Sequence, residues 1–136
     1  MKMAICTWND LVAPVFDVSG KIMIVRVSSG KIETREHEDI SGLDNPAKIR
    51  RLSALGIEVL VCGAISRLWH DFLLAWGIKV ISYVSGHVEK VLRALITGRM
   101  DLQKFCMPGC PQNFQAHTYE AMAKVARAAT GLSNSK

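Results

Sequence analysis

Two stretches of this chain follow one plan: "ALGIEVLV" at 54–61 and "AWGIKVIS" at 75–82. Each runs from a helix end through a glycine into an apolar segment with no polar alternation. A strand that is apolar at every position has to be covered on both faces, as in a parallel sheet between helical layers. The similarity is that of two consecutive αβ units, because such units are built alike.

The flanking residues extend the plan. Asn45-Pro46 has the form of an N-cap followed by proline at the first helical position, and Ile49, Leu52 and Leu55 recur at helical spacing until Gly56. Ile57–Cys62 is then a buried strand. Ser66 is expected to cap a second helix, with Leu68, Trp69, Phe72, Leu73 and Trp76 on its buried side and Gly77 as its stop. Ile78–Val84 is the next strand. Ser85-Gly86 opens a third helix with Val88, Val91, Leu92 and Leu95 inward, a Glu89/Arg93 pair outward and Gly98 just past its end.

Upstream, Lys2–Thr7 reads as a strand and residues 8–19 as a loop carrying Pro14. Lys21–Val27 alternates polar and apolar, Ser28-Ser29-Gly30 makes a turn, and Lys31–Glu38 alternates again with many polar residues. This is an antiparallel hairpin whose second strand lies at a solvated edge. The expected fold is α/β: a three-layer α/β/α sandwich with a mixed five-stranded sheet. Residues 1–102 carry that domain. Residues 103–136 add a loop and a helix over Ala116–Ala129, not an independent domain. Since the αβ units close without this tail, truncation after Leu102 is expected to leave a folded domain.

Composition narrows the setting. Hydrophobic residues make up 49% and charged ones 21%, the mix of a folded globular protein. Apolar stretches such as Ile57–Ile65 are too short to cross a bilayer, and Asn9 and Asp10 interrupt any signal-peptide core near the start. A cytoplasmic protein without membrane contact is expected, its four cysteines reduced. The formal charge of +5 suits an anionic ligand, but no aromatic platform is interleaved with the basic residues, so nucleic acid is not expected.

In an open α/β sheet, ligands bind beyond the C-terminal ends of the parallel strands. That edge receives Cys6 and Thr7 from the first strand, then Cys62, Gly63, Ser66 and Arg67 from the apolar strand, and Ser85, Gly86 and His87 from the last. The three helices begin there too, so their free N–H groups converge on it, with Lys48, Arg50 and Arg51 in the first turns of helix one. Those cations suit an anion, or else form a solvated face. Cys6 and Cys62 come from neighbouring strands and are either small hydrophobes in the core or thiols under a ligand site. Gly63 would let a ligand approach the backbone closely. Cys106-x-x-x-Cys110 supplies half a tetrahedral metal site, the rest of which would come from His117 or a second subunit. His37 and His70 fall on polar faces, whereas His87 opens a helix at the functional edge as a candidate metal ligand. No GxSxG, P-loop, GxGxxG or HExxH pattern occurs, so no enzyme is expected.

Taken in order, several of these segments resemble the dinitrogenase iron-molybdenum cofactor biosynthesis family (NifX/NafY-type domains). The resemblance is carried by Lys2-Met3-Ala4-Ile5, by Ser29-Gly30-Lys31-Ile32 and above all by Leu55-Gly56-Ile57-Glu58-Val59-Leu60-Val61-Cys62-Gly63-Ala64-Ile65. Trp76-Gly77-Ile78-Lys79-Val80 and Val84-Ser85-Gly86-x-Val88-Glu89-x-Val91-Leu92 complete it, over about residues 1–102. It implies a ribonuclease-H-like fold and a non-catalytic role. That role is to carry an anionic iron–sulfur or molybdenum–sulfur cluster between a donor and an acceptor protein, with no cofactor needed for folding. The family often has Ser-Pro-His-Phe-Gly after the first strand, its histidine a suspected cluster ligand. Here that stretch is Ala13-Pro14-Val15-Phe16-Asp17, and valine cannot ligate a metal. Either the cluster is held through other groups, such as Cys62 or His87, or the domain has become a regulatory or scaffold module whose crevice takes a partner protein or a simple anion.

Overall fold

Apolar residues at consecutive positions of a strand point alternately to opposite faces, so an unbroken apolar run demands two cores. The computed structural model describes residues 1–97, 121, 123–125 and 127, and it contains both. Met3, Ile5, Val59 and Val61 pack on one side with the third helix, while Ala4, Cys6, Leu60 and Cys62 pack on the other with the first two.

The strands are β1 (Lys2–Trp8), β2 (Leu11–Val12), β3 (Lys21–Ser28), β4 (Lys31–Asp39), β5 (Val59–Val61) and β6 (Lys79–Ile81). The helices are α1 (Asn45–Ala54), α2 (Arg67–Ala75) and α3 (Val88–Thr97). The sheet order is β4-β3-β1-β5-β6, with β2 pairing β1 off this path. β1, β5 and β6 run parallel and the β3–β4 hairpin antiparallel, as expected for a mixed sheet in a three-layer sandwich. Gly56 and Gly77, at φ +77° and +81°, end the helices that precede β5 and β6, where a side chain would be strained.

Several expectations need correction. The sheet has six strands, not five, because the segment expected to be a loop over 8–19 contains β2 and a short 3-10 turn at Phe16–Val18. Asn45 is the first residue of α1, and the cap is Asp44, whose carboxylate accepts from Ala47 N–H at 2.9 Å. Ser66 holds the N-cap position of α2 without a side-chain cap bond; Asp17 Oδ1 instead accepts from its N–H at 3.4 Å. The buried face of α2 is rotated from expectation: His70 and Leu73 are buried, whereas Leu68 and Trp76 are 63% and 44% exposed. Periodicity puts Leu68, Trp69, Phe72, Leu73 and Trp76 inward, but a nine-residue helix on this sheet covers only a narrow stripe.

Residues 121, 123–125 and 127 are helical, and Ala121 and Val125 lie fully buried in the α3-side core. Lys124 Nζ reaches Glu58 Oε1 at 3.3 Å. These two described positions of the tail therefore join the core. Gly98, Cys106, Cys110 and His117 lie outside the described residues.

The central strand offers a direct check. Leu60 is fully buried between β1 and β6 neighbours, so Leu60→Ala is expected to cost about 2–5 kcal/mol in a urea unfolding titration. A loss below about 1 kcal/mol would mean that the site collapses around the missing atoms far better than a packed core does.

Candidate functional site

Beyond the C-terminal ends of the parallel strands, the chain folds back over itself. Ala13 N–H donates to Cys6 O at 2.8 Å, Ala64 N–H to Pro14 O at 2.7 Å and Phe16 N–H to Ala64 O at 2.8 Å. A Cβ built on Gly63 would come within 2.5 Å of Ala13 O and closer still to Pro14 O. Glycine is needed at this position, but the group that approaches its backbone is this chain's own loop and not a ligand.

Cys6 and Cys62 lie beneath that loop with no exposure at all. Burial pushes the Cys6 thiol up from 9.0 to about 11, against the opposing pull of the Ser19 hydroxyl and the Lys48 ammonium. Cys62 is raised well above 9.0, first by burial and then by the neighbouring Cys6 and Asp17. Thiols raised in the folded state are protonated there and ionise more readily in the unfolded chain. Stability is therefore full below pH 9 and falls as pH rises from about 9 to about 11. The Cys6 contribution alone is on the order of 3 kcal/mol, measurable as a drop in urea midpoint across that range. A flat profile would mean that the thiols are solvated.

Two cations of the expected basic edge are engaged within the chain. Lys48 is 4% exposed and its ammonium donates to Phe16 O and Asp17 O at 3.3 and 3.2 Å, stacked over the Phe16 ring at 5.5 Å. Burial lowers its pKa, and its electrostatic coupling to Cys6 and Asp17 acts against that. Arg51 makes a forked pair with Glu38. Asp44 and Asp17 occupy the starts of α1 and α2. Arg50, Ser66 and Arg67 are exposed, and Ser85 and Gly86 half-buried.

Two clefts open at the edge, and Thr7 lines both. The first, about 460 Å³, is formed by Thr7, the Asn9-Asp10 turn, Met23, Arg35 and His37 of the hairpin, and His87, Val88 and Glu89 at the start of α3. Asn9, at φ +57°, makes the tight turn that brings Asp10 O to the Val88 N–H at 2.9 Å. Arg35 and Glu89 pair at 3.1 Å across this cleft. The second, about 330 Å³, is more apolar and includes Trp8, Pro14, Val15 and Val18. Trp8 and Val18 are 60% and 81% exposed.

Of the candidate residues, Thr7 and His87 line the first cleft, while Cys6, Cys62 and Gly63 lie under the covering loop. His37, expected on a polar face, does lie exposed on β4, but the sheet brings it into the same cleft as His87. No local pattern could signal that, because His37 meets His87 through the β4-β3-β1 pairing, β2 and the bridge from Leu11 to His87. His70, also expected on a polar face, is 1% exposed. Among the described residues no three His, Cys, Asp or Glu side chains are grouped to hold a metal ion. No helix among them is long and apolar enough to cross a membrane.

A mixed sheet wrapped by helices on both faces, with clefts at the carboxyl edge of its parallel strands, defines an α/β domain of the three-layer class. Residues 1–98 match the family model described as dinitrogenase iron-molybdenum cofactor, and the chain belongs to that family. The fold is shared with the crystal structure of PH0822 (TM-score 0.70, 20% identity, 74% of this chain and 93% of that one). It is also shared with MJ0327 of Methanocaldococcus jannaschii (0.62, 19%, 74% and 92%). The apo form of the orange protein from Desulfovibrio gigas is similar as well (0.56, 21%, 82% and 95%). No curated protein matches the chain.

Proposed function

We propose that this domain is a non-catalytic carrier that holds an anionic iron–sulfur or molybdenum–sulfur cluster at the carboxyl edge of its sheet, for storage or for transfer from a donor to an acceptor protein. Family membership supports cofactor biosynthesis or binding as the setting. The observation that carries the reading is the first cleft, where His37 and His87 supply two imidazoles and Arg35 and Thr7 supply donors, beside an apolar second cleft. Imidazole is a competent ligand for iron and other transition metals, and a partly apolar wall shields sulfide from water. In this reading His87 and His37 take over the role of the histidine that Val15 replaces. Ser66, Arg67, Ser85 and Gly86 belong to the surrounding rim.

A second reading is favoured by Val15 itself and by the exposure of Trp8 and Val18: a regulatory or scaffold domain that uses the same edge for a partner protein. The two separate on metal content. Protein purified without oxygen and incubated with cluster donors is expected to retain iron or molybdenum with a visible charge-transfer band. His37→Ala/His87→Ala is expected to lose that band with an unchanged fold. Colourless, metal-free protein after such incubation would favour the scaffold reading. Equal cluster retention in the double variant would remove the histidines from the site.

A further inference from the structure

The buried face of β1 and β5 contains a group that the cluster reading does not use. The parallel register pairs Ala4 with Leu60 and Ile5 with Val61, so Cys6 and Cys62 are the next neighbours along it. Both side chains point into the same core, under the α1 and α2 layer, and neither has any exposure. Beside Cys6 stands Lys48, a cation that is 4% exposed and whose hydrogen-bond acceptors are two backbone carbonyls. Among the described residues no carboxylate forms an ion pair with it; Asp17 acts on it only at longer range. A buried ammonium without a paired anion is costly, and buried charges in proteins are ordinarily paired or bound to ions.

We infer that Cys6 and Cys62 form a two-coordinate site for Cu(I), with Lys48 as its counter-charge. The stoichiometry is balanced without redox change: Cu(I) binds two sulfurs, two thiol protons leave to solvent, and the resulting bis-thiolate complex carries one negative charge. That charge is the one Lys48 lacks. Thiolate is a soft ligand and selects a soft monovalent ion. Zinc would need two further ligands, and no third His, Cys, Asp or Glu joins the pair among the described residues. A disulfide would be neutral and would leave the ammonium as it is. The ion reaches the pair when the Ala13–Phe16 loop, held by three backbone hydrogen bonds, lifts from Cys6 and Ala64.

This inference is independent of cluster carriage, and its test contains no iron or molybdenum. The full chain carrying Cys106→Ser and Cys110→Ser keeps Cys6 and Cys62 as its only thiols. Titrated anaerobically against the coloured Cu(I)–bicinchoninate complex, it is expected to withdraw one copper per chain and release two protons. X-ray absorption should then find two sulfur neighbours. Cys6→Ala and Cys62→Ala, which preserve a small apolar side chain, should each abolish the one-to-one complex. Lys48→Met should weaken it by about ten-fold or more, as loss of an outer-shell partner does. Failure to withdraw copper, a nitrogen or oxygen neighbour at the metal, or an unchanged affinity in a folded Lys48→Met chain would each overturn the assignment. If an alanine variant does not fold, the ligand count in the parent chain decides alone.

Discussion

A chain cut after Leu102 is expected to lose cooperative unfolding, the reverse of what its sequence pattern implies. The αβ units look closed without the tail, yet Ala121 and Val125 are fully buried in one cluster with Ile5, Val59, Val91 and Leu95. Returning a buried valine to water costs about 1.5–3 kcal/mol by itself. Removing the segment also uncovers the residues it rests on and releases the Lys124–Glu58 pair. Against a typical total of about 5–15 kcal/mol, such a loss leaves a marginal or molten domain. Thermal unfolding followed by near-ultraviolet circular dichroism measures it, and a full-length Val125→Asp chain should fall in the same direction. An unchanged midpoint in the truncated chain would show that the tail only decorates the surface.

Gly63→Ala is the second large effect. The added methyl would meet Pro14 O and Ala13 O at distances that real Cβ atoms do not adopt, and both atoms belong to backbone. The loop must therefore lift, breaking the Ala64–Pro14 and Phe16–Ala64 hydrogen bonds that hold it against β5. Overpacking of this kind costs typically 1–3 kcal/mol, and with backbone on the other side about 3 kcal/mol is expected. Lifting the loop also uncovers Cys62. The variant should thus react with a thiol reagent under native conditions at a rate where the parent is protected, with the modified cysteine located by mass spectrometry. A stable variant with protected thiols would mean that the loop accommodates the methyl elsewhere.

The alkaline loss of stability predicted from the raised thiols and the cost of Leu60→Ala probe the same core from other directions. Together with the loop variant they ask whether the carboxyl edge of β1 and β5 is a closed floor. The first cleft opens on the α3 face of the sheet, lined by Thr7, Met23, His37 and His87, whereas Cys6 and Cys62 face the core on the other side.

Much of the architecture was legible in local pattern. Mostly apolar runs at 57–62 and 78–82 without polar alternation, each after a glycine that takes a positive φ, point to doubly covered parallel strands, and both are present as β5 and β6. Polar alternation over 31–38 marked the solvated edge strand. The same pattern set the neighbourhood of Cys6 and Cys62, because strand order and period-two alternation are enough to put them on one face. Tertiary structure alone decided what that neighbourhood contains. Whether Lys48 is solvated or buried depends on the Phe16–Val18 turn arriving from 32 residues upstream to offer its carbonyls. Whether Gly63 faces a ligand or its own chain depends on where the 9–19 segment returns. His37 and His87 share a cleft only because three paired strands set the distance between them. Periodicity reports which face of an element is apolar; it carries no information about which distant backbone will fill the space beside that face.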